Sequence, residues 1–174
     1  PARLYEEVIK LFHNENSIVV FRELFKLGLL KHLFSQTKEN SFVTASLINT
    51  SERIKNGNSV TPAFLFAVFL WSPLNKRLSQ ISKKNKSRIE LMLEASEYVI
   101  NQQTQQVMMP RWLSSRVKDV WLMQYQLENY NPKKAKTLIK SPRFRMAYDF
   151  LVLRSESIDK DVKAKAEYWT NIQK

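Results

Sequence analysis

The chain has no cysteine among its 174 residues. Disulfides and thiolate metal sites are therefore excluded, and the composition fits a reducing compartment, with the cytoplasm the expected location. Glycine occurs only at Gly28 and Gly57. Two isolated glycines cannot build a phosphate-cradling loop, and so few argue against an all-β fold with many tight turns. No long apolar run is present: the longest, Ala63 to Trp71, falls well short of the roughly 20 residues of a spanning helix. No membrane partner is expected. No alternating stretch is long enough to read as a strand, no internal repeat is visible, and no serine stands in a nucleophile-elbow context. The chain opens at Pro1 rather than Met, shows no signal peptide and reads as a segment of a longer protein.

Charge of one sign is what the chain does have. Lys and Arg total 28 against 16 Asp and Glu, a net +12. Residues 1–75 are close to neutral with 8 basic and 6 acidic residues, and residues 146–174 carry 5 of each. Residues 76–145 carry 15 basic and 5 acidic residues, net +10. A field this localised attracts polyanions; the competing reading is a solvated basic surface.

Helical periodicity runs through the rest, so the expected fold class is all-α, a multi-helix body with a C-terminal tail helix. Tyr5, Val8, Ile9 and Phe12 mark a first helix. Asn16 or Ser17 is expected to cap a second, with Phe21, Leu24, Phe25 and Leu27 inward and Gly28 near its end. A third spans about Asn40 to Lys55, followed by a turn at 56–59. Pro62 starts a buried helix that Pro73 is expected to stop, and residues 75–88 read as a polar, basic stretch. A long helix follows with Ile89, Met92, Leu93, Ser96, Val99 and Ile100 on one stripe. After Pro110 comes a helix marked by Leu113, Val117, Val120, Trp121 and Gln124. A short basic helix covers Lys133 to Ile139. Ser141 is expected to cap the next, with Pro142 at its first position and Phe144, Ala147, Tyr148 and Leu151 on one face. Asp159 or Asp161 is expected to cap the last, with Val162, Ala166 and Trp169 inward. The division expected is a helical body over 1–140 and C-terminal helices, a tail, over 141–174.

Catalytic equipment is sparse. His13 and His32 have no metal-ligand spacing. Asp159-Lys160-Asp161 matches an Asp-x-Asp metal pattern, but the pair opens a helix, where carboxylates favour the positive end of the dipole. No catalytic residue and no metal ligand is assigned. The basic clusters carry the functional signal. Lys83, Lys84, Lys86 and Arg88 lead into a helix; Arg111, Arg116 and Lys118 follow Pro110; Lys133, Lys134, Lys136 and Lys140 follow a turn, and Arg143 and Arg145 come next. Long cationic side chains on an exposed face suit phosphates and discriminate little between bases. Trp112 and Tyr130 are placed to stack on a base. Arg145 also stands one helical turn from Asp149, a pair worth a few tenths of a kcal/mol.

Several stretches, in order, resemble the bacterial poly(A) polymerases. They are Pro1 to Glu7, Thr61 to Ala67 continuing to Trp71-Ser72-Pro73-Leu74, Met109-Pro110-Arg111, Asp119-Val120-Trp121 with Gln124, Ser141 through Leu151, and Tyr168-Trp169. Trp112 departs from the family, which commonly has a second basic residue there, and residues 37–59 match nothing specific. The resemblance implies the RNA-binding body and tail of an enzyme related to the CCA-adding enzymes, which adds adenylates to RNA 3′ ends without a template. It implies that the catalytic domain, with its ATP and Mg²⁺, precedes Pro1, so that this segment alone has no active site and needs no cofactor. The implied partners are RNA 3′ ends, the catalytic domain in cis, and proteins of RNA decay. The rivals are a helical protein–protein interaction domain, the tRNA-binding body of a CCA-adding enzyme, and a duplex-DNA reader, for which no recognition helix is visible.

Overall fold

The computed structural model describes residues 2–174 and is all-α, with no strand among the described residues. The helices are α1 (Ala2–Phe12), α2 (Ser17–Lys26), α3 (Leu30–Leu33), α4 (Ser41–Lys55), α5 (Pro62–Phe69), α6 (Trp71–Gln80), α7 (Arg88–Gln106), α8 (Arg111–Glu128), α9 (Pro132–Ile139), α10 (Phe144–Ser157) and α11 (Lys163–Ile172). A 3-10 turn at Lys160–Val162 leads into α11. Local sequence fixes many of the starts. The Asn40 side chain accepts from Val43 N–H at 2.9 Å, and Thr61 does the same for Phe64 ahead of Pro62. Ser87 and Glu90 form a reciprocal capping box at α7. The hydrogen bonds from Ser87 hold the Glu90 carboxyl below its ordinary pKa. Gly28 ends α2 in the left-handed region at φ +69°, which costs a residue without Cβ nothing.

Helix α5 is the centre of the body. It packs on α8 and also meets α4, α6 and α10. The first core gathers Phe12, Phe21, Phe34, Phe66 and Phe69 with α8's Val117, Val120 and Trp121. Trp121 Nε1–H donates to Ala67 O at 3.1 Å, so even its one polar atom is satisfied. Phe150 of α10 enters this core against Phe42, Phe64 and Trp71. A second, smaller core lies between the C-terminal half of α8 and α9 to α11: Met123, Leu127, Ala135, Phe144, Ala147, Leu151 and Trp169. Trp169 Nε1–H donates to Leu127 O at 2.9 Å.

Several local expectations give way to tertiary context. Pro73 does not stop a helix: the break is at Leu70, and Pro73 sits in the first turn of α6, where a missing N–H costs nothing. Residues 75–80 are accordingly helical. In α2, Phe21 is buried, but Phe25 and Leu27 are exposed at 52% and 65%, because α2 is covered on one side only. In α7 the buried stripe runs through Leu91, Met92, Ala95, Ser96, Val99, Ile100 and Gln103, leaving Ile89 and Leu93 outside. Ser141 closes a turn by accepting from Arg143 N–H instead of capping α10, which begins at Phe144 with no side-chain cap. Neither Asp159 nor Asp161 caps α11. Asp159 turns its carboxylate to Arg154 Nη2 at 2.8 Å, and Asp161 lies exposed in the 3-10 turn. A buried guanidinium needs a counter-charge more than a helix end needs a cap.

Candidate nucleic-acid interface

The basic residues lie in one loop and along the four consecutive helices that follow it. Lys83, Lys84 and Lys86 occupy the loop between α6 and α7, where Asn85 adopts φ 58°. Arg88 is the first residue of α7; Arg111, Arg116 and Lys118 belong to α8. Lys133, Lys134 and Lys136 lie on α9, Lys140 ends it, Arg143 precedes α10 and Arg145 is in its first turn. All are exposed except Lys118, which is half-buried.

Ion pairing divides them. Lys86 pairs with Glu94 and Lys118 with Glu97. Arg143 Nε stands 2.9 Å from Asp119 Oδ2, an ion pair without hydrogen-bond alignment. Arg145 Nε is 3.2 Å from Asp149 Oδ1, the expected helical pair, and Arg53 Nη1 approaches the other oxygen of the same carboxylate at 3.7 Å. Two guanidiniums on one carboxylate leave one positive charge uncompensated. Lys83, Lys84, Arg88, Arg111, Arg116, Lys133, Lys134, Lys136 and Lys140 have no ion-pair partner among the described residues. Exposed pairs of this kind contribute little to stability, so their partners can be exchanged for phosphate at small cost.

Three concave stretches adjoin one another around α8, sharing lining residues. One, of about 430 Å³, runs from Trp112 and Arg116 to Arg143. It shares Asp119 and Arg143 with a wider one of about 870 Å³ that includes Lys134, Tyr130 and Tyr125. This in turn shares Tyr125 and Asn129 with a third of about 590 Å³, floored by Trp71 and edged by Arg88. The structure thus brings Arg116, Arg143, Lys134 and Arg88, from four separate elements, onto one groove. Arg145 lines a side cavity of about 230 Å³ with Arg53 and His13. Burial of the His13 imidazole lowers its pKa to about 4. Lys83, Lys84, Lys86, Arg111, Lys118, Lys133, Lys136 and Lys140 line none of these concavities.

The aromatic candidates also separate. Trp112 is 47% exposed, with the Arg116 guanidinium 5.7 Å from its ring centre. Tyr130 is already stacked on Tyr168 at 4.0 Å, and the Lys165 ammonium lies 5.1 Å from its ring centre. Its ring is an internal support, not an open platform. Sequence reasoning missed Arg53, Asp119 and Tyr125, whose place on the groove or its side cavity depends on helix packing. The Asp-x-Asp pattern does not fit a divalent metal, because Asp159 is held by Arg154, and the described residues hold no cluster of three or more His, Cys, Asp or Glu suited to one.

The family model for the polymerase A arginine-rich C-terminus matches residues 84–174, slightly over half of the chain. The chain belongs to this family. All the candidate cations except Lys83 fall within the matched stretch. A second model, "Probable RNA and SrmB-binding site of polymerase A", matches residues 1–40. That stretch forms α1 to α3, whose periodicity by itself speaks only of packing. Its exposed Leu4, Val19, Phe25, Leu27 and Leu29 are a further signal. Among curated proteins, the chain is similar to poly(A) polymerase I of Salmonella typhi, 28% identical over 99% of this chain and 40% of the relative. It is equally similar to poly(A) polymerase I of Haemophilus influenzae, at 28% identity over 99% of this chain and 41% of the relative. The chain thus spans about 40% of the length of the curated relatives it matches. No helix of the described residues is long and apolar enough to cross a membrane.

Proposed function

We propose that this chain is the RNA-holding C-terminal part of a bacterial poly(A) polymerase. It grips RNA behind the 3′ end while a catalytic domain outside this chain, linked in cis, adds adenylates from ATP with Mg²⁺. The observation that carries this reading is the groove along α8, where Arg116, Arg143, Lys134 and Arg88 converge from four elements of the matched family region. The spacing of cations along a groove suits a phosphate backbone, and the unpaired lysines flanking it add long-range attraction. No covalent step is assigned to the residues of this chain. RNA 3′ ends in the cytoplasm are the expected substrate, in RNA processing. A second role, docking a protein of RNA decay, is favoured by the exposed apolar residues of α2 and the turn after it, within the stretch matched by the RNA- and SrmB-binding model.

The test is a salt-titrated binding series with single-stranded RNA, each variant checked by a circular-dichroism melt. Replacing Lys133, Lys134, Lys136 and Lys140 by Ala should lower the log–log salt slope by about 0.7 for each phosphate no longer neutralised. Replacing Lys83, Lys84 and Lys86 should cost less per residue, because Lys86 already pairs with Glu94. If both groups, and with them Arg88, Arg116 and Arg143 of the groove, can be neutralised with the fold intact and RNA affinity unchanged at low salt, the RNA-holding reading fails and the docking role moves ahead.

A further inference from the structure

We infer that the end of the groove floored by Trp71 receives a base of the bound RNA and favours bases that carry an exocyclic amine over uracil. This rests on the RNA-holding reading and adds base selection to it. Two amides set the polarity of this end. Asn75 Nδ2 donates to Trp71 O at 2.9 Å, and Asn129 Nδ2 donates to Tyr125 O at 3.0 Å. A backbone carbonyl only accepts, so these bonds fix which amide atom faces the helix. The Oδ1 atoms of both residues, which line this end of the groove, are left as acceptors.

The charged groups add to the same polarity. Arg154, 2% exposed, lies at the floor beneath them, its guanidinium 4.9 Å from the Trp71 ring centre. Its Nη2 donates to Glu128 Oε1 at 2.6 Å and to Asp159 Oδ2 at 2.8 Å, and Nη1 donates to Gln124 at 3.1 Å. The second oxygens of Glu128 and Asp159 carry no hydrogen bond among the described residues, and both side chains are about one-third exposed. Two carboxylates against one guanidinium repel phosphate and attract N–H donors. The Arg154 Nε–H has no partner but is buried, so the groups this end presents to a ligand are acceptors.

That pattern suits a base with an exocyclic amine. Adenine, cytosine and guanine each carry such an amine donor, whereas uracil has carbonyls on both sides of its one ring N–H. Single-stranded RNA can turn such an edge into a pocket, which stacked duplex RNA cannot. A volume of about 590 Å³ admits a nucleoside. Half-buried Tyr125, shared with the neighbouring stretch of groove, is placed to stack on it, and Arg88 at the edge can hold the adjoining phosphate.

The experiment compares binding of this chain to oligo(A) and to an oligonucleotide of purine riboside, which keeps every ring nitrogen of adenine and lacks only the amine. Oligo(C) and oligo(U) form a second pair. The wild-type chain should bind oligo(A) about fivefold tighter than the purine-riboside oligomer, the value of one neutral hydrogen bond. The double variant Asn75→Ala with Asn129→Ala should bring the two affinities together, while Lys134→Ala should weaken both alike. Equal wild-type affinities for the two oligomers, or a ratio unchanged in the folded double variant, would overturn base selection and leave RNA holding intact. If neither oligomer binds at low salt, the RNA-holding reading falls, and base selection with it.

Discussion

Phe69 in the first core meets Phe12, Phe34 and Phe21 edge-on, with ring centres 5.2, 4.9 and 5.4 Å away. The second core has a smaller aromatic group of its own, Tyr130, Phe144, Tyr168 and Trp169; beside it, where α10 meets α8, lies Arg154, held by Glu128, Asp159 and Gln124, and Gln124 in turn donates to Ala147 O at 3.0 Å. Apolar contacts are strong but non-directional, so the aromatic core contributes stability without dictating the exact placement of each helix. Directed hydrogen bonds fix orientation, so a polar network that joins two helices restricts how they sit against each other. The groove lies where that network orients α8 against α10. The half of the molecule presenting the cations is thus fixed by geometry as much as by burial.

The most damaging substitution falls on the aromatic side. Phe69→Ala removes a ring with 1% exposure from the centre of its cluster and should cost about 3–5 kcal/mol, read as a fall in the urea midpoint. A loss below about 1 kcal/mol would mean that the cluster repacks and that the two cores differ less than their side chains indicate. Arg154→Met should cost less, about 2 kcal/mol, because Glu128 and Asp159 still reach solvent when the guanidinium is gone. Its sharper consequence is local: amide exchange should accelerate in α10 and the 3-10 turn while α5 stays protected. Uniform acceleration across both regions would remove the orienting role of Arg154.

A milder change concerns His13. Its folded-state pKa of about 4 lies below the ordinary value of 6.5 because burial disfavours the charged ring. The unfolded chain therefore takes up the proton first as pH falls. The stabilisation is complete above about pH 6.5 and declines progressively towards pH 4. Between pH 7 and pH 5 the loss should be about 1–2 kcal/mol, and His13→Asn should flatten that part of the profile. An unchanged slope in the variant would place the pH sensitivity elsewhere.

Much of the fold is legible in the sequence because its signals are local. The buried face of α8 follows the 3.6-residue period from Leu113 through Gln124, and Asn40, Thr61 and Ser87 announce their helices by side-chain chemistry within three residues. Where expectation and structure differ, the missing information is distant. Phe25 and Leu27 share a stripe with Phe21, but periodicity does not say how wide the covering neighbour is. Asp159 has every local mark of a cap and is taken instead by Arg154.

The same division holds for the candidate site. Composition and short-range order are enough to make the chain helical and to put a net +10 on residues 76–145. They do not decide which of those cations are available. Lys118 meets Glu97, Arg143 meets Asp119, and Arg53 joins Arg145 on Asp149 only because α4, α7, α8 and α10 pack together. A Coulomb interaction depends on distance and solvent exposure rather than on position along the chain. The groove that gathers Arg88, Arg116, Lys134 and Arg143 is therefore a product of the tertiary structure.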